Sequence, residues 1–223
     1  MRIRKKKHLD ERIENVGDVL IVANRDVSNV NLAILDKKYL DYENIFGNSN
    51  PVCLEIGCGK GGFACKTAIK NPDVNILAVE MVKNVIVMAC ENAKQQNLPN
   101  LRFMNTGAEY LPRYIMQNSI DTLYLNFSPP YPQKSYECRR LTNKRNVLNY
   151  LSFLKDGGSV IQKTDDKEFF EYSKNMFVEC GFLVTDTSST IAQDKDNILT
   201  EYEEKFVKEN MKIYRLIAKK VNS

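Results

Sequence analysis

Four glycines fall within one short stretch of the chain, Glu55-Ile56-Gly57-Cys58-Gly59-Lys60-Gly61-Gly62. Glycines at this density let a backbone turn sharply and let a ligand approach main-chain atoms closely. Gly57, Gly59 and Gly62 match G-x-G-x-x-G, by itself a weak sign of a dinucleotide site. Further along, Glu80 closes a β-rich run, where a carboxylate can accept two hydrogen bonds from ribose hydroxyls. A third stretch, Asn126-Phe127-Ser128-Pro129-Pro130-Tyr131-Pro132, combines rigidity with an aromatic face. Its prolines have no N–H to donate, while their carbonyls can still accept. Tyr131 offers a surface for base stacking, worth roughly 1–3 kcal/mol. An isolated Pro-Pro pair more often marks a rigid surface turn with a packing tyrosine.

Glu55 argues against NAD, because a carboxylate just ahead of the glycines would repel a pyrophosphate. It suits the ammonium group of a methionine moiety instead. The charge pattern points to phosphates. Five of the first seven residues are basic, and Lys134, Arg139, Arg140, Lys144 and Arg145 follow the proline-rich stretch. Either run alone reads as a solvated face, but two clusters flanking one candidate site favour contact with nucleic acid. With one histidine, His8, and six cysteines without a C-x-x-C pair, metal-ligand spacing is absent and reduced structural thiols are expected. No apolar run is long enough for a membrane span, and the basic start is not followed by an apolar signal core, so a cytoplasmic protein is expected.

The elements that must position these residues alternate β-rich runs with helical patterns, the sign of a parallel sheet built from βαβ units. VCLEIG, NILAVE, LRFMNT, IDTLYLNF and GSVIQKT read as five strands, the fifth after a Lys155–Gly158 turn. FLVTDTSS and KIYRLIAKK read as two more, and VLIVAN near the start is a further candidate. Helices are expected after the glycine turn to about Lys70, where Asn71-Pro72-Asp73 breaks them. Others are expected over Val82–Ala93, with apolar residues at helical spacing, and over KEFFEYSKNMFVEC up to Gly181. Residues 1–50 read as a basic segment and cover, and residues 51–223 as the α/β core of a single domain.

The E-x-G-x-G pattern at Glu55, Gly57 and Gly59 resembles motif I of the class I S-adenosylmethionine-dependent methyltransferases. That resemblance implies a Rossmann-like, seven-stranded, mostly parallel sheet with an antiparallel last strand and helices on both faces. It also implies that Glu80 holds the ribose and that Gly107, Ala108 and Glu109 lie beside the adenine. Taken alone, Ser128-Pro129-Pro130-Tyr131 resembles the acceptor motif of cytosine-N4 and adenine-N6 methyltransferases. A wider window, YLNFSPPYPQKSYECRRLTN, resembles the corresponding segment of the tRNA (guanine-N7)-methyltransferases in the same register. Gly157-Gly158, Lys163-Thr164-Asp165 and the stretch TEYEEKF (residues 200–206) follow in the family's order, so the resemblance covers essentially the whole chain.

This second resemblance implies methyl transfer from S-adenosylmethionine to the variable-loop guanine at tRNA position 46. The cofactor would be held by Glu55, Gly57, Gly59, Glu80, Gly107, Ala108 and Asn126. Lys134, Arg139, Arg140 and the N-terminal cluster would contact phosphates, and Asp165, Thr200, Tyr202 and Glu203 would hold the guanine. The sequence departs from the family where its active-site aspartate falls on Pro129 and its tryptophan on Tyr131. Other family positions are taken by Gln133, Ser135, Tyr136 and Cys138. Asn126, Ser128 and Tyr131 remain as supporting groups. Two alternatives stand beside this expectation: an amino-group methyltransferase using Ser-Pro-Pro-Tyr, and a catalytically weak tRNA-binding relative.

Overall fold

The computed structural model describes residues 8–23, 29–188, 197–209 and 211–221. The N-terminal basic cluster, residues 1–7, lies outside them. The chain forms two compact units that divide between Ile115 and Met116.

In the first unit, α1 (Leu9–Glu14) is tied to a later helix by Arg12, whose guanidinium donates to both oxygens of Glu91 at 2.6 and 2.5 Å. The short elements β1 (Leu20–Ile21), α2 (Val30–Ala33) and α3 (Tyr42–Phe46) follow. The central strands are β2 (Val52–Ile56) and β3 (Asn75–Val79), and every residue of both is buried. Such continuous burial belongs to parallel strands covered on both faces. Between them lies α4 (Gly62–Lys70), which stops at Asn71. Asn71 helps to close that helix, its side-chain amide donating to the Thr67 carbonyl at 2.9 Å. Next come α5 (Lys83–Gln95), β4 (Leu101–Met104) and α6 (Leu111–Tyr114). The helix α5 buries Ile86, Val87, Ala89, Cys90 and Ala93 along one stripe, as the helical spacing requires. The strands run parallel in the order β1-β4-β3-β2.

The second unit begins with β5 (Ile120–Asn126), then α7 (Lys144–Phe153), β6 (Leu154–Thr164), α8 (Lys167–Glu179), β7 (Phe182–Ser188), α9 (Glu201–Lys208) and β8 (Tyr214–Lys220). Its strand order is β5-β6-β8-β7. β5 and β6 are parallel, and β8 is antiparallel to both of its neighbours, as expected of the last strand. Asn143 and Asp166 cap α7 and α8 through their side-chain oxygens.

The sequence expectation needs two corrections. The described residues carry eight strands rather than seven, because VLIVAN does contribute β1, paired to β4. The Lys155–Gly158 turn lies inside β6, where the pairing jumps from Ile120↔Leu154 to Thr122↔Ser159 and Gly157 takes φ 78°. It is a bulge in one strand, not a loop before a new one.

Candidate functional site

The glycine turn is built at the ends of β2 and β3. The N–H groups of Gly57 and Cys58 both donate to the Val79 carbonyl, at 2.8 and 3.0 Å. Gly57, Gly59 and Gly61 adopt φ values of 84°, 57° and 79°, in the left-handed region that favours glycine. Gly61 is needed for a second reason. A Cβ there would lie 2.8 Å from the Ala89 Cβ and 3.3 Å from the Phe103 ring, so its lack of a side chain lets α5 and β4 pack against the turn. The spacing pattern had selected Gly62, which is the first residue of α4. At Gly59 a Cβ would meet nothing within 4 Å, so this face of the turn is open for a ligand.

Glu80 is joined to the same turn. One carboxylate oxygen accepts from the Gly59 N–H at 3.2 Å and the other from the Val82 N–H at 2.8 Å. Each oxygen keeps a further lone pair for a ligand hydroxyl. Asn105, which the sequence reading missed, donates to the Glu80 carbonyl at 2.8 Å and fixes the strand end. Glu55 is buried at 2% exposure inside β2. Burial pushes the Cys58 thiol well up, and the Glu55 and Glu80 carboxylates push it further. Cys65 is pushed up to about 11 by burial first and Glu55 second. Neither thiol is therefore a ready nucleophile. Beyond β4, the Glu109 carboxylate folds back over Gly107, where a Cβ would lie 2.5 Å from it. Gly107 thus leaves room for the carboxylate of Glu109, two residues on.

The acceptor loop of the second unit leaves β5 at Asn126, which pairs in register with Lys163 of β6. Phe127 follows with φ 50°, its N–H donating to the Lys163 carbonyl at 2.8 Å. Tyr131 also has a positive φ, 42°. Two bulky residues in this region mark a loop held by its surroundings. Much of the holding falls to Arg140. Its Nε donates to the Pro130 carbonyl at 2.8 Å and its Nη2 to the Tyr131 carbonyl at 3.1 Å. The guanidinium lies 4.2 Å over the Tyr172 ring, whose hydroxyl donates to Glu137 at 3.1 Å. Arg140, expected on a phosphate, is thus a clamp on the loop. Lys134 and Arg139 remain exposed, the latter stacked 4.7 Å over Tyr136. Ser128 is buried and Pro129 is exposed at the loop's tip.

The expected guanine-holding residues divide. Asp165 is exposed at the end of β6, next to Asp166, which accepts from the Phe169 N–H at 2.8 Å and caps α8. Tyr202 is 61% exposed and stacks on Phe127 with ring centroids 5.8 Å apart. Glu203, by contrast, is wholly buried. Its oxygens accept from the Lys163 ammonium at 3.0 and 3.1 Å, from Asn197 at 3.1 Å and from the Thr200 N–H at 2.7 Å. Thr200 Oγ1 in turn accepts from the Glu203 N–H at 3.0 Å. This is a capping box, and its T-x-x-E signature was present in the sequence. Glu203 and Thr200 therefore build the start of α9.

The matches to known proteins fit this geometry. Residues 49–216 match the model of a family described as "Putative methyltransferase". The chain is 34% identical over 220 residues to the tRNA (guanine-N(7)-)-methyltransferase of Streptococcus uberis, covering 98% of this chain and 99% of that protein. It is 41% identical over 179 residues to the enzyme of the same name from Bacillus licheniformis, covering 79% and 84% of the two chains. The chain belongs to the tRNA (guanine-N7)-methyltransferase family. Solved structures support the fold of this methyltransferase. The 16S rRNA methyltransferase KamB matches with a TM-score of 0.65 at 15% identity, over 83% of this chain and 96% of that one. An antibiotic-related methyltransferase matches with 0.62 at 17%, over 82% and 98%. Among the described residues of the family member, no helix is long and apolar enough to cross a membrane.

Proposed function

We propose that the chain transfers a methyl group from S-adenosylmethionine to N7 of the variable-loop guanine of tRNA, in the cytoplasm. The observation that carries this reading is the 34% identity spanning 98% of the chain, acceptor loop included. The cofactor fits the first unit. The open face at Gly59 and the spare lone pairs of Glu80 suit a ribose, Glu55 suits an ammonium group, and Glu109 beside Gly107 and Ala108 suits an adenine amine. The cofactor supplies the activated methyl group.

Guanine N7 carries an in-plane lone pair and no proton, so attack requires no general base. With the cofactor bound, its sulfonium would be the leaving group as N7 takes the methyl, so positive charge would develop on the purine. What the chain must supply is an in-line approach and a favourable electrostatic setting. The Arg140-clamped loop from Asn126 to Tyr131 fixes the approach. Asp165 is the exposed carboxylate that can accept from the N1–H and amine of guanine, and Tyr202 offers it a ring face. Lys134 and Arg139 would meet phosphates.

The direct test is incubation with tRNA lacking 7-methylguanosine, followed by nucleoside mass spectrometry. Formation of 7-methylguanosine is expected; N4-methylcytosine or N6-methyladenine would overturn the assignment of the acceptor atom. Pro129→Asp returns a carboxylate to the loop tip and is expected to raise kcat, by up to about 10²-fold if that group acts as single electrostatic groups do elsewhere. An unmodified tRNA from both proteins, with S-adenosylhomocysteine still bound, would leave a tRNA-binding role.

A further inference from the structure

Between the acceptor loop and α8 lies a cavity of about 230 Å³. Pro130 and Pro132 of the loop and Phe169 and Tyr172 of α8 give it flat apolar walls, the two rings stacked 6.4 Å apart at 17°. Arg140 forms one polar side. The Pro130 and Tyr131 carbonyls take two of its five N–H donors, and its guanidinium lies on the Tyr172 ring. The opposite polarity comes from Asp166, which uses one oxygen to cap α8, and from Glu168, exposed at the start of that helix. Asp165 and Tyr202 are not among the described residues that line it. Two carboxylates would repel a phosphate, and a wholly apolar ligand would leave three charged groups without partners. A flat ring with an amine on one edge and an acceptor on another satisfies every wall, and an unpaired nucleobase is such a ring. Splayed RNA bases are held in this way, against aromatic or guanidinium planes and by hydrogen bonds to their edges. The volume lies below the roughly 300–1,000 Å³ of sites for drug-sized ligands, which suits a single base.

We propose that this cavity takes a base that flanks the target guanine in the tRNA strand, one that carries an exocyclic amine. Glu168 and Asp166 accept from that amine, Arg140 donates to the acceptor edge, and the ring faces lie against Pro132 and the α8 rings. The flanking position follows from the loop. Pro130 and Pro132 belong to the same short segment that meets the target, so a strand delivering its guanine there brings the adjacent bases within reach. The assignment rests on the tRNA reading of the acceptor loop.

Two tRNAs are made in which the nucleotide on the 5′ or the 3′ side of the target guanine is abasic. Their Kd is measured by filter binding for the parent, Glu168→Gln and Pro132→Ala. One of the two abasic tRNAs is expected to bind the parent about tenfold more weakly, the scale of one base stack. Each variant should weaken binding of intact tRNA by roughly five- to tenfold. Neither should add a further loss on that abasic tRNA, because base and wall share one interaction. Losses that multiply would overturn the proposal, as would abasic tRNAs that the parent binds as tightly as the intact one. Cytidine at the sensitive position should bind about tenfold tighter than uridine, which has a carbonyl in place of the amine; equal or reversed affinities would overturn it too. S-adenosylhomocysteine affinity should be unchanged in both variants, which separates a lost contact from a lost fold, and either variant alone carries the test. Methylation is measured separately. If 7-methylguanosine fails to form while the flanking base still couples to Glu168, the functional reading fails and the cavity assignment stands. If it forms without that coupling, the cavity assignment alone fails.

Discussion

Gly59 and Gly61 share a left-handed backbone but not a neighbourhood, and that contrast separates strain from packing. An alanine at Gly59 bears only the conformational penalty, about 1–2 kcal/mol, because its Cβ points into open space. An alanine at Gly61 must also displace Ala89 and Phe103, adding about 1–3 kcal/mol of overpacking. Chemical denaturation of the two variants should rank Gly61→Ala clearly below Gly59→Ala; equal stabilities would refute the close approach. S-adenosylhomocysteine affinity should show the reverse order if the open face of Gly59 meets the cofactor. Glu80→Gln removes a charged acceptor from both the turn and the ribose, a loss of about 2 kcal/mol, or roughly thirtyfold in affinity by calorimetry. An unchanged affinity would remove Glu80 from the site. The sequence pattern finds the turn but not the need for Gly61, because a spacing rule carries no information about Ala89 or Phe103.

At the scale of elements, legibility follows the range of the interaction. The central strands are buried and mostly apolar, and the break at Asn71 is local, so both are readable. T-x-x-E was a local signal as well, yet the burial of Glu203 depends on Lys163 from a distant strand. Likewise, a run of five cations does not reveal which of them turns inward. Arg140 does, and its clamp makes a distinct prediction. Arg140→Lys loses the two-pronged hydrogen bonding and the flat stack on Tyr172 while keeping the charge. If Arg140 holds the loop, kcat should fall by at least about tenfold while the salt dependence of tRNA binding stays constant. Arg139→Ala should behave in the opposite way, with kcat little changed and the salt slope of log affinity reduced by about one. Exchange of these two phenotypes would return Arg140 to the phosphates.

Across the whole molecule, the buried thiols link the core to pH. Cys65 is held at about 11 and Cys90 at about 12, in both cases chiefly by burial, against an ordinary value of 9.0. Burial likewise raises Cys58 and Cys180. A group whose folded pKa lies above its unfolded one binds its proton more tightly in the folded chain. Its contribution to stability is complete below pH 9 and is lost as pH rises from there toward the folded value, because only the unfolded chain releases the proton. Stability measured by urea midpoint should therefore decline steadily from about pH 9 to 11, on a slope set by several thiols together. Cys65→Ala and Cys90→Ala should each make that decline shallower, even though each also leaves a small cavity and lowers the midpoint at neutral pH. Cys138, exposed on the short helical turn after the acceptor loop, should react with a thiol reagent at pH 8 long before the five buried thiols do. A decline whose slope ignores both alanine variants would mean that other groups, not the buried thiols, open the core in alkali.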